Sequence, residues 1–80
     1  MRIKEAVVAR FSQLCEERGL NNNSLANLAG VTPSTVYSMM DPTRQDVSVI
    51  TVKKLCDGLD LSISDFFDDP IFRNLDQEIQ

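Results

Sequence analysis

The stretch from Asn22 to Asp41, NNSLANLAGVTPSTVYSMMD, constrains this chain more than any other. It holds two short helical patterns around a glycine turn, and its apolar residues fall only where two crossed helices would touch. Leu25, Ala26 and Ala29 share one face of the first pattern, and Val36 and Met39 share one face of the second. Gly30-Val31-Thr32 breaks the periodicity between them, because glycine readily takes the left-handed conformation that ends a helix. Thr32 is then expected as an N-cap, with Pro33 at the first helical position, where a missing N–H costs nothing. The small side chain of Ala26 allows two helices to cross closely. These are the parts of a helix-turn-helix spanning about 22–41, whose second helix is of the kind that enters a DNA major groove.

Periodicity on either side predicts an all-α fold, a compact domain of five to six helices with the helix-turn-helix at helices two and three. Helix one is expected over Arg2 to Arg18, where Ile3, Val7, Val8, Phe11, Leu14 and Cys15 form one apolar stripe and Gly19 ends it. Leu20 is expected to pack back on the core, and Asn21 to cap helix two. Helix three covers Pro33 to Met40, followed by the polar loop Asp41-Pro42-Thr43-Arg44-Gln45-Asp46. Ser48 reads as the cap of helix four, with Val49, Val52, Leu55, Cys56 and Leu59 on its inner face. After the turn Asp60-Leu61-Ser62, Ser62 and Asp65 are spaced as a capping box for a fifth helix carrying Ile63, Phe66 and Phe67. Asp69-Pro70 is expected to start a final helix with Ile71, Phe72, Leu75 and Ile79 along one side. The chain therefore divides into a domain at 1–69 and a C-terminal helix at 70–80. No strand pattern, repeat or low-complexity run is present.

Eighty residues suit one domain rather than the separate substrate and cofactor lobes of an enzyme. No apolar run reaches the ~20 residues of a membrane span. Met1-Arg2-Ile3-Lys4-Glu5 leads into an amphipathic stretch rather than the unbroken apolar one of a signal peptide, so the chain is expected in the cytoplasm. Cys15 and Cys56 have no histidine to join them, which removes a zinc site, and both lie on apolar faces as reduced core thiols. No glycine-rich phosphate loop and no base beside a cysteine is found, so no catalytic site, cofactor, metal or small-molecule ligand is expected. Asp65, Asp68 and Asp69 lack the ordered spacing of a calcium loop and read as a solvated helix end. The net charge of −4 weighs against a nucleic-acid ligand, since phosphates attract Lys and Arg. It is unevenly distributed, however: +1 over residues 1–20, 0 over 21–45 and −5 over 46–80. The acidity belongs to the last third and not to the helix-turn-helix.

With these segments in order, the sequence resembles the lambda-repressor-like family, the phage repressor and Cro (XRE) type of helix-turn-helix, over roughly residues 3 to 67. Leu25, Ala26, Ala29, Gly30, Val31, Val36 and Met39 fit the family pattern within the motif, and Glu16-Glu17-Arg18-Gly19-Leu20 fits before it. Thr51-Val52-Lys53-Lys54-Leu55 and Leu59 to Phe67 match the usual fourth and fifth helices. The resemblance implies a sequence-specific DNA-binding transcriptional regulator, expected as a repressor, with helix three in the major groove and helix two across the backbone. It implies base contacts from Thr32, Pro33, Ser34, Tyr37 and Ser38, which share the face opposite Val36 and Met39. Asn22, where relatives carry glutamine, is implied as a phosphate contact. Thr43 and Arg44 with the Ser48 cap form a second candidate phosphate clamp. Lys53 and Lys54 read more simply as an exposed face.

Three departures from the family stand out. Asp41 replaces an asparagine that donates to phosphate in many relatives. Pro33 replaces a Gln or Arg. Cys15 and Met40 replace an Arg–Glu pair that links helix one to helix three, which predicts an apolar contact there. With so few cations, one domain should bind weakly, so a homodimer is expected on a double-stranded operator. Ile71, Phe72, Leu75 and Ile79 are the candidate interface, and folding of that stripe onto its own chain is the competing expectation. An alternative function uses the acidic C-terminal third to hold a basic partner, as an antitoxin or antirepressor would, with weak or no DNA binding.

Overall fold

The computed structural model describes residues 1–79, and those residues form five α-helices and one 3-10 turn with no strand. The helices are α1 (Ile3–Arg18), α2 (Asn22–Ala29), α3 (Pro33–Met40), α4 (Val49–Gly58) and α5 (Ile63–Phe67), and the 3-10 turn is Pro70–Phe72. The all-α expectation and the placement of the first five helices hold.

Three helix ends are closed by the same local chemistry. At the ends of α1, α2 and α4, residues Gly19, Gly30 and Asp60 take φ of 66°, 68° and 54°. The next residue in each case is apolar, and its amide reaches back five residues: Leu20 to Cys15, Val31 to Ala26 and Leu61 to Cys56, at 2.8, 3.0 and 2.9 Å. This is the Schellman arrangement, which satisfies carbonyls the helix leaves unpaired and turns an apolar side chain inward. Helix starts are equally local. Asn21 Oδ1 accepts from the Ser24 amide at 2.8 Å, Ser48 Oγ from Ile50 and Thr51, and Ser62 Oγ from Asp65 at 3.0 Å.

The core gathers one stripe from each helix: Val7, Phe11, Leu14 and Cys15 from α1, Leu25 and Ala26 from α2, and Val36 and Met39 from α3. Val52, Leu55 and Cys56 of α4, Leu59 just after it and Phe66 of α5 complete it. Phe11 and Phe66 are fully buried with ring centroids 4.4 Å apart, and Phe67 and Phe72 pack around Phe66 at 4.9 and 5.8 Å. Full burial of each such ring contributes about 1.5–3 kcal/mol. Cys15 and Met40, the residues replacing the family's ion pair, both belong to this apolar cluster, Cys15 buried and Met40 partly so. Both cysteines are free and buried, and desolvation pushes their thiols above the ordinary range.

α2 and α4 cross closely. A Cβ placed on Gly58 would lie 2.7 Å from the amide nitrogen of Ala29 and 2.8 Å from its Cα, so α4 rests on α2 backbone to backbone. Arg10 fastens the other side. Its guanidinium donates to the carbonyls of Phe66 at 2.8 Å and Asp65 at 3.2 Å and pairs with Asp69 at 3.4 Å, which ties α1 to the end of α5. Arg18 likewise donates to the carbonyl of Leu59.

Two sequence expectations are corrected. Val49 does not lie on the inner face of α4 but is 63% exposed, at the open rim of a concavity it shares with Ile3 and Val7 of α1. The C-terminal helix does not form beyond the single turn Pro70–Phe72, which Asp69 caps through the Ile71 amide. Residues 73–79 instead run irregularly back to the start of α1 (Gln80, the end of the expected helix, lies outside the described residues). So short a segment, containing Asn74 and Asp76, is marginal as a helix. Its polar groups find partners just before α1: the Asp76 amide donates to the Met1 carbonyl at 2.9 Å, and Glu78 accepts from the Arg2 guanidinium at 2.7 Å. That ion-paired hydrogen bond holds the Glu78 carboxyl below the ordinary range. Ile71, Phe72 and Leu75 are partly buried within their own chain, and only Ile79 of the four stands fully out, at 83%. The helical dimer surface expected from the sequence is therefore absent.

Gly58→Ala should lower stability by about 1–2 kcal/mol in urea denaturation. Overpacking a backbone contact costs about 1–3 kcal/mol, against a gain of up to about 1 kcal/mol in helix propensity.

Candidate nucleic-acid interface

α3 owes its orientation to Val36 and Met39, which are buried at 0% and 4% exposure and turn the opposite face outward. That outer face carries Thr32, Pro33, Ser34 and Tyr37, all exposed, with Ser38 partly so. Tyr37 is 55% exposed, a large side chain held in solvent by two buried neighbours in sequence and helix register. None of these side chains is charged, so the face offers hydroxyls and one aromatic ring.

Thr32 stands at the N-cap of α3 with Pro33 after it, as expected, but its side chain makes no capping bond to a helix amide. Its backbone carbonyl accepts from the Thr35 amide at 3.0 Å, while its hydroxyl lies 3.0 Å from both the Ser34 and Thr35 hydroxyls. A fixed cluster of three hydroxyls thus sits at the start of the helix, each able to donate or accept.

Ser34 and Ser38 meet Arg44 and Ser48 around one open concavity of about 310 Å³ between α3 and the start of α4. Thr35, Thr51 and Asp46 also line it, and the sequence offered none of these three as a contact residue. Ser48 accepts from two amides of α4 and still has its own hydroxyl proton to donate. Arg44 is well exposed, its nearest carboxylate Asp41 at 3.8 Å from Nε. Asn22 lies apart from this group, in the first turn of α2 and partly buried.

The loop between α3 and α4 is an ordered turn. The Arg44 amide donates to the Asp41 carbonyl at 3.2 Å, with Pro42 setting the first corner. Asp41 Oδ1 accepts from both the amide and the hydroxyl of Thr43, at 2.9 and 2.7 Å. Both donors of Thr43 are thereby engaged, so Thr43 shapes the loop and has no free proton for a phosphate. The same two bonds, hydroxyl first, hold the Asp41 carboxyl below the ordinary aspartate range, with Arg44 and Lys4 adding to them.

Few cations remain free. Arg2 pairs with Glu78, Arg10 with Asp69, Lys53 with Asp57 and Arg73 with Asp68. Lys4 and Arg18 are held by carbonyls. Among the described residues Lys54 alone makes neither kind of contact, and Arg44 keeps the loosest one.

An all-helical unit that carries a helix-turn-helix defines a class of DNA-binding protein, and comparison with known proteins specifies it. Residues 10–70 match the family described as the Cro/C1-type HTH DNA-binding domain. The crystal structure of the prophage Lp1 protein 11 is similar over 94% of this chain and 100% of that one, at 32% identity and a TM-score of 0.80. No curated protein matches. The chain belongs to the Cro/C1-type helix-turn-helix family, whose members are DNA-binding regulators and not enzymes. No helix among the described residues is long and apolar enough to cross a membrane.

In a carbon-detected NMR titration, the Asp41 carboxyl should show a midpoint below that of an unstructured aspartate, and Thr43→Val should raise it by removing the stronger bond. Because the folded value is the lower one, this group supports the fold above the unfolded midpoint. That support is lost as pH falls through the folded midpoint.

Proposed function

We propose that the chain is a sequence-specific transcriptional repressor that places α3 in the major groove of a double-stranded operator, with α2 crossing the backbone. The observation that carries this reading is the outer face of α3: Thr32, Ser34 and Tyr37 are exposed on a helix fixed from beneath by Val36 and Met39. Hydroxyls at Ser34 and Ser38 read base edges, Pro33 gives an apolar contact, and the Tyr37 ring packs on a thymine methyl or its hydroxyl reaches a phosphate. Asn22 and the first amides of α2 meet one phosphate; Arg44 and Ser48 meet a second. Thr43 acts behind Arg44, through Asp41, rather than on the phosphate itself. Such a protein works in the cytoplasm, beside its DNA.

The scarcity of free cations supports a homodimer reading two half-sites about one helical turn apart, since two weakly bound units joined together gain avidity without new contacts. Ile71, Phe72 and Leu75 are drawn into the protomer's own fold, so that dimer does not use a C-terminal helix. The alternative of an antitoxin or antirepressor module has no observation in its favour.

The test is retention of a randomised duplex pool at low salt, with sequencing of what is kept. An enriched palindrome is the expected outcome, and Tyr37→Ala should relax it at one position per half-site, at a cost of about 1–3 kcal/mol for the preferred base. Folded protein that enriches nothing would remove the reading. A second variant, Asp41→Asn, keeps both bonds from Thr43 while deleting a negative charge beside the backbone. At a separation of ~4 Å in water that charge is worth about 1 kcal/mol, so duplex affinity should rise roughly fivefold.

A further inference from the structure

We infer that Lys4 is a positioning residue for DNA binding: its ammonium holds the Asp41–Arg44 turn so that Arg44 meets the phosphate backbone, while Lys4 itself touches no DNA. The inference rests on the function proposed above. Lys4 is 4% exposed and is the single charged residue buried among the described residues. It lies on the apolar stripe of α1, in register with Val7 and Phe11, where an aliphatic residue would be ordinary. Burying an ammonium is costly, and an apolar residue of similar volume generally serves stability as well. What the ammonium alone does here is bind two carbonyls at once. Nζ donates to the Asp41 carbonyl at 3.0 Å and to the Arg44 carbonyl at 2.9 Å.

Those two carbonyls belong to the first and last residues of the turn. The Asp41 carbonyl also receives the Arg44 amide at 3.2 Å, so Lys4 secures both ends of a turn already closed by one backbone bond. It also places a cation at the C-terminal end of α3, whose last turn has no basic residue of its own. The Arg44 side chain departs from this fixed backbone, is 62% exposed, and faces the concavity shared with Ser34, Ser38 and Ser48. A long side chain on a free loop loses conformational entropy on meeting a phosphate, and a held backbone removes part of that loss before binding.

The experiment is a mutant cycle of Lys4→Met, Arg44→Ala and the double variant, with a short random-sequence duplex as probe and affinity followed against salt. Thermal melts set the assay temperature at which every variant is folded, and Lys4→Gln replaces Lys4→Met if the latter does not fold. The expected result is that Lys4→Met weakens binding roughly fivefold and flattens the log–log salt slope by about 0.9, the amount for one phosphate contact. Arg44→Ala should do the same, and the double variant should be no weaker than Arg44→Ala alone, as for two residues acting through one contact. Additive losses, or an unchanged slope in folded Lys4→Met, would overturn the role of Lys4 and leave the DNA reading standing. A wild-type chain that binds no duplex at low salt would overturn the DNA reading, and the role of Lys4 with it.

Discussion

A helix of eight residues is not stable alone in water, and α2 and α3 have eight residues each. Every other part of the fold answers to that constraint. Leu25, Ala26, Val36 and Met39 turn inward, into one cluster with Phe11 of α1, Leu55 of α4 and Phe66 of α5. The close contact of Gly58 with Ala29 brings α4 near enough for short side chains to fill the space. Local closure does the rest. Asn21 caps α2 at its start, and Gly30 with Val31 closes it at its end, so few backbone groups of the motif depend on distant partners.

The second constraint is charge. A protein that meets DNA with a net charge of −4 keeps its cations mostly for itself: Arg10 and Arg18 fasten helix ends, and Lys4 fastens a turn. The outward face of α3 carries no charged residue, so under the proposed function discrimination by hydroxyls and a tyrosine ring is not accompanied by strong non-specific attraction to phosphate. Asp41 fits the same economy. Its carboxylate is occupied on Oδ1 by two donors from Thr43 and faces Arg44 on the other oxygen, so Asp41 serves to build the turn.

What could be read in the sequence follows from the range of the interactions involved. Asn21, Gly30, Pro33, Ser48 and Ser62 act on amides and carbonyls within a few residues, so α2, the turn, α3 and the starts of α4 and α5 were legible. Asp60 was not, since only its left-handed φ reveals that it repeats the role of Gly19 and Gly30. Gly58 was not either, because nothing near it in sequence announces that Ala29 lies against it. The final helix failed for a related reason: Ile71, Phe72, Leu75 and Ile79 have helical spacing, yet Asp76 and Glu78 pair with residues at the other end of the chain. For the candidate site, the exposed residues of α3 were legible from the two apolar positions that define its buried face. The occupation of Thr43 by Asp41 was not. Lys4 did leave a signal, a charged residue in register with Val7 and Phe11, and that register is what distinguishes a buried amine from a solvated one.

Residues 1–4, at the start of α1, are where these long-range contacts converge. The chain arrives there from its far end, through Asp76 and Glu78 on Met1 and Arg2. One residue beyond Ile3, Lys4 extends across the core to the turn between α3 and α4. A turn with no helix or strand of its own takes its rigidity from whatever element it is bonded to. Here that element is the longest helix, itself fixed along its length by Val7, Phe11 and Leu14 in the core and by Arg10 on α5. The Asp41–Arg44 turn is thus tied to α1 as well as to the helices it joins, which under the proposed function gives a neutral, short-helix motif a stiff edge to set against a backbone it attracts only weakly.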